Sequence, residues 1–338
     1  MRKFLWLLAL VPFFGCNDPS AKTPEKAIDP FDKLLSNGLP DGRGEESRIN
    51  DGDEKDPIAL HRRGIQFLNA GDFEQALGLL TASLEIKEDA KTYFSRGLAF
   101  MSKGDYPSAL ADYDMAVKLE PKAASPYVNR GLLLHQMGKT AHGINDLTEA
   151  IKLDPKDAKI FFNRGQLYVS LAFYDKAAVD FDAALAIDPK YADVYVSRGY
   201  CHHLRKHFRD AVKDYDKAIE LAPLSALAHS NRGNSYTQLG EYDKALRDHD
   251  EAIRLDSRDG EFYNNRGSAL GAKGDHLKAA ADFSRAIDLM PEYAPAYRNR
   301  GLAHHTLGQK DLAAADFAVA LNLEPGVTDG IPREYLAK

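Results

Sequence analysis

The chain has 338 residues, 44% hydrophobic and 28% charged, with 44 Lys+Arg against 50 Asp+Glu and a net charge of −6. That balance belongs to a soluble globular protein and excludes a whole-chain basic footprint, so no nucleic-acid partner is expected. Two cysteines, Cys16 and Cys201, exclude a disulfide framework.

The first element in chain order is a leader. Arg2 and Lys3 precede the uncharged apolar run 4–15. Twelve residues of helix reach about 18 Å, short of the ~30 Å hydrocarbon core, so residues 1–15 are predicted to be a secretory signal peptide rather than a spanning helix. The run ends at Gly15-Cys16, which resembles the lipobox of bacterial lipoproteins, although Phe13 and Phe14 depart from its usual pattern. The resemblance implies a lipid on Cys16, a membrane partner through that lipid, and an extracytoplasmic location on the periplasmic face of a bacterial envelope. The alternative is a secreted, unanchored binding protein. Residues 16–56 are then a lipidated N-terminus and flexible linker, rich in Pro, Gly, Ser and charge. As coil, forty such residues span roughly 35 Å. The apolar cluster Phe31, Leu34 and Leu35 is their only recognition-motif candidate.

From residue 57 one unit is written eight times. An Arg-Gly pair recurs from Arg63-Gly64 to Arg300-Gly301, first after 33 residues and then every 34. With that glycine eighth in the unit, repeats start at Pro57, Ala90, Ala124, Ala158, Ala192, Ala226, Gly260 and Ala294 and end near Val327. Slot twenty is alanine except Gly143, slot twenty-seven is alanine except Ser83, and slot thirty-two is proline in six repeats, Pro121 being the first. Apolar spacing in 181–187 is helical. Proline at thirty-two is expected to close each second helix.

These small-residue slots, with aromatics at four and twenty-four, resemble the tetratricopeptide repeat, a 34-residue helix–turn–helix. The resemblance implies an all-α, right-handed superhelical solenoid of eight hairpins over 57–327, with 328–338 as a short cap or tail. Slot seven is Arg in all eight repeats and slot twenty-three is Asp in seven, Leu79 being the exception. Each internal Asp is expected to sit between two arginines, Arg96, Asp112, Arg130, Asp146 and onward. The final helix, with Leu312, Phe317 and Leu321, is expected to be partly uncovered, a surface for self-association or a partner.

In the family the first helices line a concave, ligand-binding face. Transferred here, apolar contacts fall on Phe94, Leu98, Leu132, Phe162 and Tyr200. Slot six supplies Asn129, Asn163, Asn231, Asn265 and Asn299, interrupted by Ser197. A primary amide donates and accepts, so such a row can hold an extended chain by its backbone. This resembles the asparagine ladder of a glycosyltransferase member of the family. The implied partner is a protein or extended peptide, held by a scaffold in envelope complex assembly. No nucleotide loop, metal-binding Cys pair or catalytic constellation is present, and neither enzyme activity nor a cofactor is expected. Cys201, His202, His203 and His207 in repeat five carry the alternative of a metal-handling protein.

Overall fold

The structure, a computed structural model, describes residues 56–336. The leader, Cys16 and the tether lie outside those residues. Two compact units divide at Asp188 and Pro189. The first holds four helical hairpins: α1 Pro57–Asn69 with α2 Phe73–Ile86, α3 Ala90–Lys103 with α4 Tyr106–Leu119, α5 Ala124–Gln136 with α6 Thr140–Leu153, and α7 Ala158–Ser170 with α8 Tyr174–Ile187. The second holds α9 Ala192–Leu204 with α10 Phe208–Leu221, α11 Ala226–Gln238 with α12 Tyr242–Leu255, α13 Gly260–Lys273 with α14 His276–Leu289, and α15 Ala294–Thr306 with α16 Lys310–Leu323. No strand occurs among the described residues. The first helix of every hairpin begins at the predicted repeat start.

The hairpins close through their small-residue slots. Slot twenty-four carries Leu80, Tyr113, Leu147 and Phe181 in the first unit and Tyr215, His249, Phe283 and Phe317 in the second, all buried. Each ring or branched chain lies over the slot-eight glycine of its own hairpin. A Cβ added at Gly97 would stand 2.7 Å from Cε1 of Tyr113, so only glycine admits the ring. The first helices end in Schellman geometry: Asp72 N–H donates to Phe67 O and Gly71 N–H to Leu68 O, which satisfies carbonyls the helix leaves open.

Proline is not what stops the second helices. α2 ends at Ile86 and α12 at Leu255, the same slot as every other second helix, though neither is followed by proline at thirty-two. Their extended C-caps, Lys87 and Asp256, turn the chain away. The slot-four side chain then fixes the turn. The Tyr127 hydroxyl donates to Pro121 O at 3.4 Å, Tyr297 to Pro291 O at 3.1 Å, and Tyr263 to Ser257 O at 3.4 Å. This side chain therefore clamps the turn and does not fill the core.

The charge ladder differs from the expected alternation. In the first unit Arg96, Arg130 and Arg164 each grip the Asp of their own hairpin, Asp112, Asp146 and Asp180, by two parallel bonds of 2.7–2.8 Å. The remaining amine reaches the preceding hairpin at slot twenty-five, not twenty-three: Thr81, Asp114 and Thr148 respectively. In the second unit Arg232 grips Asp248 and reaches Asp216, Arg266 grips Asp282 and reaches Asp250, and Arg300 grips Asp316 and reaches Ser284. One carboxylate consumes the Nε–Nη2 edge of the guanidinium fork, so the second acceptor must lie off its Nη1 corner. The hydrogen bonds that Arg130 donates to the Asp146 carboxylate hold it above the usual guanidinium range. Slot-four rings lie against the same cations: Arg96 is 5.6 Å from the Tyr93 centroid and Arg300 is 5.6 Å from that of Tyr297.

The chain end is covered. Val327 and Ile331 are buried, and the short 3-10 turn Arg333–Tyr335 brings the Tyr335 ring 4.9 Å from that of Phe317. Ile331 and Tyr335 occupy slots four and eight of an abbreviated ninth unit. Phe317 is therefore sealed, contrary to the expectation of an uncovered surface there, while Leu312 stays 52% exposed.

Candidate functional site

The first helices place the predicted ligand face in each unit separately. In the first unit the apolar contacts are largely committed to the stack. Leu98 lies in a core cluster with Leu68, Leu80, Tyr113 and Leu133, and Leu132 in another with Leu147, Ile160 and Leu167. Phe94 tilts against Tyr113 at 5.9 Å and Phe162 against Phe181 at 6.0 Å; both stay partly accessible. In the second unit Tyr200 is buried.

The five asparagines divide into two classes. Asn129 Nδ2 donates to Ser125 O of its own helix at 3.0 Å, leaving its Oδ1 buried. Asn265 Nδ2 donates to Ser230 Oγ of α11 at 3.2 Å, and Asn299 Nδ2 donates to Asn264 Oδ1 of α13 at 2.9 Å. Arg298 closes the Asn299 carbonyl from the other side at 3.0 Å. The Asn265 and Asn299 amides bridge neighbouring first helices, while that of Asn129 is spent within its own helix. Asn163 and Asn231 instead make no side-chain hydrogen bond within the described residues; Asn163 is partly accessible, with donor and acceptor available, whereas Asn231 is buried at 5% exposed. The signal that separates the classes is slot five. Where it is polar, as at Ser230 and Asn264, it captures the slot-six amide of the next repeat; where it is Phe94, Val128 or Val196, before Asn129, Asn163 and Asn231, it offers no partner. Beyond slot six the second unit presents a polar, small-residue surface, with Ser268, Gln238, Ala272 and Thr306 exposed.

The histidine-rich repeat does not converge on an ion. Cys201 is buried. His203 turns its Nδ1 to Ser235 Oγ at 2.9 Å and sets its ring edge-on to Phe208 at 5.1 Å, and burial lowers it to about 4. His202 stacks on His207 at 6.2 Å, its Nε2 3.7 Å from Asp214. Among the described residues no group of three His, Cys, Asp or Glu is placed to hold a metal. One carboxyl on the first-helix face is unusual: burial, with Asp259 beside it, raises Glu261 at the start of α13 to about 7.

Profiles described as tetratricopeptide repeat match residues 61–127, 162–226 and 264–327, with two others on 96–160 and 226–259. The chain belongs to the tetratricopeptide repeat family, whose hairpin arrays are protein-interaction scaffolds. No curated protein sequence matches it. Among solved structures it is similar to a tetratricopeptide repeat protein from Parabacteroides merdae, at 25% identity over 73% of this chain and 97% of that one, with a TM-score of 0.62. Yeast Tom70 shares the fold at 20% identity, 83% and 62% coverage and a TM-score of 0.52. PilF of Pseudomonas aeruginosa shares it at 15%, 61% and 94%, with 0.54.

Proposed function

We propose that this protein is a non-catalytic adaptor that holds a protein partner, or an extended segment of one, against its first helices. The observation that carries this reading is the uncommitted, partly accessible amide of Asn163 on the first-helix face of the first unit. It can satisfy both the N–H and the C=O of a peptide unit, at a net ~0.5–1.5 kcal/mol per bond. Asn265 adds a free carbonyl, and the partly accessible Phe94 and Phe162 add apolar contact in the first unit. The adaptor works from a membrane, held by a lipid on Cys16 on the extracytoplasmic side of the envelope, where it recruits a component of a larger complex. The apolar run 4–15 ending at Gly15-Cys16 supports that placement. Among the described residues no helix is long and apolar enough to cross a membrane.

A photo-crosslinking residue at Phe94 or Asn163, and as control at Glu220 on the outer helix α10, tests the binding face in intact cells. The reading requires the same crosslinked species from both first-helix sites and none from Glu220. Equal labelling from all three removes the face from consideration. Mass spectrometry of the mature N-terminus decides the anchor: an acylated Cys16 supports it, and a free N-terminus elsewhere refutes it.

A further inference from the structure

Slot eleven of the first helix carries a ring in six repeats: Phe67, Phe100, Tyr168, His202, Tyr236 and His304. Leu134 and Leu270 are the exceptions. In the sixth hairpin the Tyr236 ring carries the Lys244 ammonium at 5.1 Å. Burial and the carboxylates of Asp216 and Asp248 raise the Tyr236 hydroxyl, while Arg232 and Lys244 lower it, so four charged side chains surround this ring. The fourth hairpin has a related arrangement, with the Tyr168 ring 5.9 Å from the Arg164 guanidinium and 5.6 Å from the Lys176 ammonium.

In the seventh hairpin the same slots enclose a cleft. About 330 Å³ lies between α12, α13 and α14, edged by Asp250, Arg266, Lys278 and Asp282. These four hold, slot for slot, the places of Asp216, Arg232, Lys244 and Asp248 around Tyr236. Leu246, Leu270 and Ala281 supply the apolar walls. Leu270 is smaller than tyrosine, and Lys278 turns to Asp275 at 2.7 Å. The other exception, Leu134, has His142 and Asn145 where the seventh repeat has Lys278 and Ala281, so it offers neither the ammonium nor the small side chain. The cleft opens to solvent, with Lys278 74% and Asp250 61% exposed. Its residues lie off slots five, six and nine, which form the first-helix ligand face.

We propose that this cleft receives an aromatic side chain of a partner protein, in the place that the sixth hairpin fills with its own Tyr236. A ring there meets the Lys278 ammonium and the Arg266 guanidinium with its π face, and Leu246, Leu270 and Ala281 with the rest of its surface. A cationic side chain meets Arg266 and Lys278, and a carboxylate meets Asp250 and Asp282, so neither sign of charge is favoured. A branched aliphatic chain gains burial alone, without the attraction of two cations for a ring. The contact is separate from the first-helix face and does not depend on it.

The test titrates N-acetyl-tyrosinamide, with N-acetyl-leucinamide as control, into the full chain carrying labelled leucine methyls. Ring-current shifts of Leu246 and Leu270 are the readout. Both signals are expected to move saturably with the tyrosine probe, and the leucine probe to bind roughly two- to fivefold more weakly. Lys278→Ala should weaken the tyrosine probe by a similar factor and leave the leucine probe unchanged. Leu270→Tyr gives the seventh hairpin the arrangement of the sixth; it should abolish the probe-induced shift at Leu246 and melt at or above the wild-type temperature. Lost shifts with intact melting separate a filled cleft from a damaged fold, and Lys278→Ala carries the test should Leu270→Tyr not fold. The absence of a saturable shift, equal affinity for the two amides, equal affinity of wild type and Lys278→Ala, or an undiminished Leu246 shift in a folded Leu270→Tyr overturns the proposal. Movement of both methyl signals on Phe31→Ala, with no probe present, would assign the cleft to the chain's own N-terminal segment and overturn a partner as its occupant. Crosslinking through Asn163 is expected to persist in Leu270→Tyr, so the cleft and the first-helix face are tested apart.

Discussion

Arg164 and Asp180 face each other through two parallel hydrogen bonds, Nε to Oδ2 at 2.8 Å and Nη2 to Oδ1 at 2.7 Å, with the carboxylate 3% exposed and the guanidinium 17%. The fork ties α7 to α8 across the hairpin, and Nη1 on Thr148 ties the hairpin to α6. Removing a partner from a buried pair costs ~3–5 kcal/mol, because the other charge stays behind. Asp180→Ala is therefore expected near the lower part of that range, since Thr148 retains one donor. Asp250→Ala removes a carboxylate that is 61% exposed and should cost under ~1 kcal/mol. Urea unfolding followed by circular dichroism distinguishes them; equal midpoints for Asp180→Ala and wild type would show the fork to be dispensable.

The register of this array is legible because close approach of helices demands small side chains at fixed intervals, and Gly64 to Gly301 print that demand eight times. Which residues pair was also legible, since Arg and Asp share nearly every unit. How they pair was not. Counting along two helices places Asp112 level with both Arg96 and Arg130, but a guanidinium spends one edge on one carboxylate, and Arg130 turns its free corner to Asp114. The commitment of Asn265 and Asn299 to neighbouring helices was hidden for a similar reason. A single helix shows Asn265 and Asn299 as an open row; only the helix before each supplies Ser230 and Asn264, thirty-five residues back. The tail was hidden because Gly330 and Pro332 break helical periodicity while Ile331 and Tyr335 still fall on the register.

His249 occupies a core slot that elsewhere holds Tyr113, Phe181, Tyr215, Phe283 or Phe317. It is 0% exposed, neither ring nitrogen has a hydrogen-bond partner, and burial lowers it to about 4 against Asp248, which raises it, and Arg266, which lowers it. A base whose folded value lies below its unfolded value of ~6.5 stabilises fully above that value and loses the contribution as pH falls toward 4. Roughly 3 kcal/mol should drain from wild type between pH 7 and pH 4 through this residue. His249→Phe should remove that slope and add stability at every pH. Glu261 works in the opposite sense, its raised value costing stability as pH rises through about 7, but it is common to both proteins and cancels in the difference. Parallel pH profiles would show that the imidazole reaches water. Trp6 is the only tryptophan, so circular dichroism is the readout for the folded part.

Gly143 stands where the other seven repeats have alanine, and by helix propensity alone Gly143→Ala should gain up to ~1 kcal/mol. The structure predicts the reverse. A Cβ at Gly143 would lie 2.4 Å from the carbonyl oxygen of Gly131, and one at Gly131 would lie 2.9 Å from that of Gly143. The obstacle is backbone, so α5 and α6 must separate. A loss of about 1–3 kcal/mol is expected, the usual cost of overpacking. A melting temperature at or above wild type would mean that this hairpin relaxes to the geometry of its neighbours without penalty.

Tyr335 is the last side chain holding the end of the array. Its ring packs on Phe317 at 4.9 Å and meets His305 edge-on at 5.6 Å, with the hydroxyl 3.2 Å from His305 Nδ1. Ile331 and Leu302 complete the patch beneath it. Tyr335→Ala should cost about 1–3 kcal/mol from lost aromatic burial and the hydroxyl contact. Ending the chain after Val327 should cost more, because it uncovers Phe317 and Leu321 together. Hydrogen exchange would show α15 and α16 opening before the rest of the second unit, as end hairpins of a nearest-neighbour stack do. The newly bared apolar surface should drive self-association of the truncated chain at concentrations where the full chain sediments as a monomer. A truncated protein that remains monomeric, with α16 amides as protected as before, would show that the tail covers the last hairpin without stabilising it.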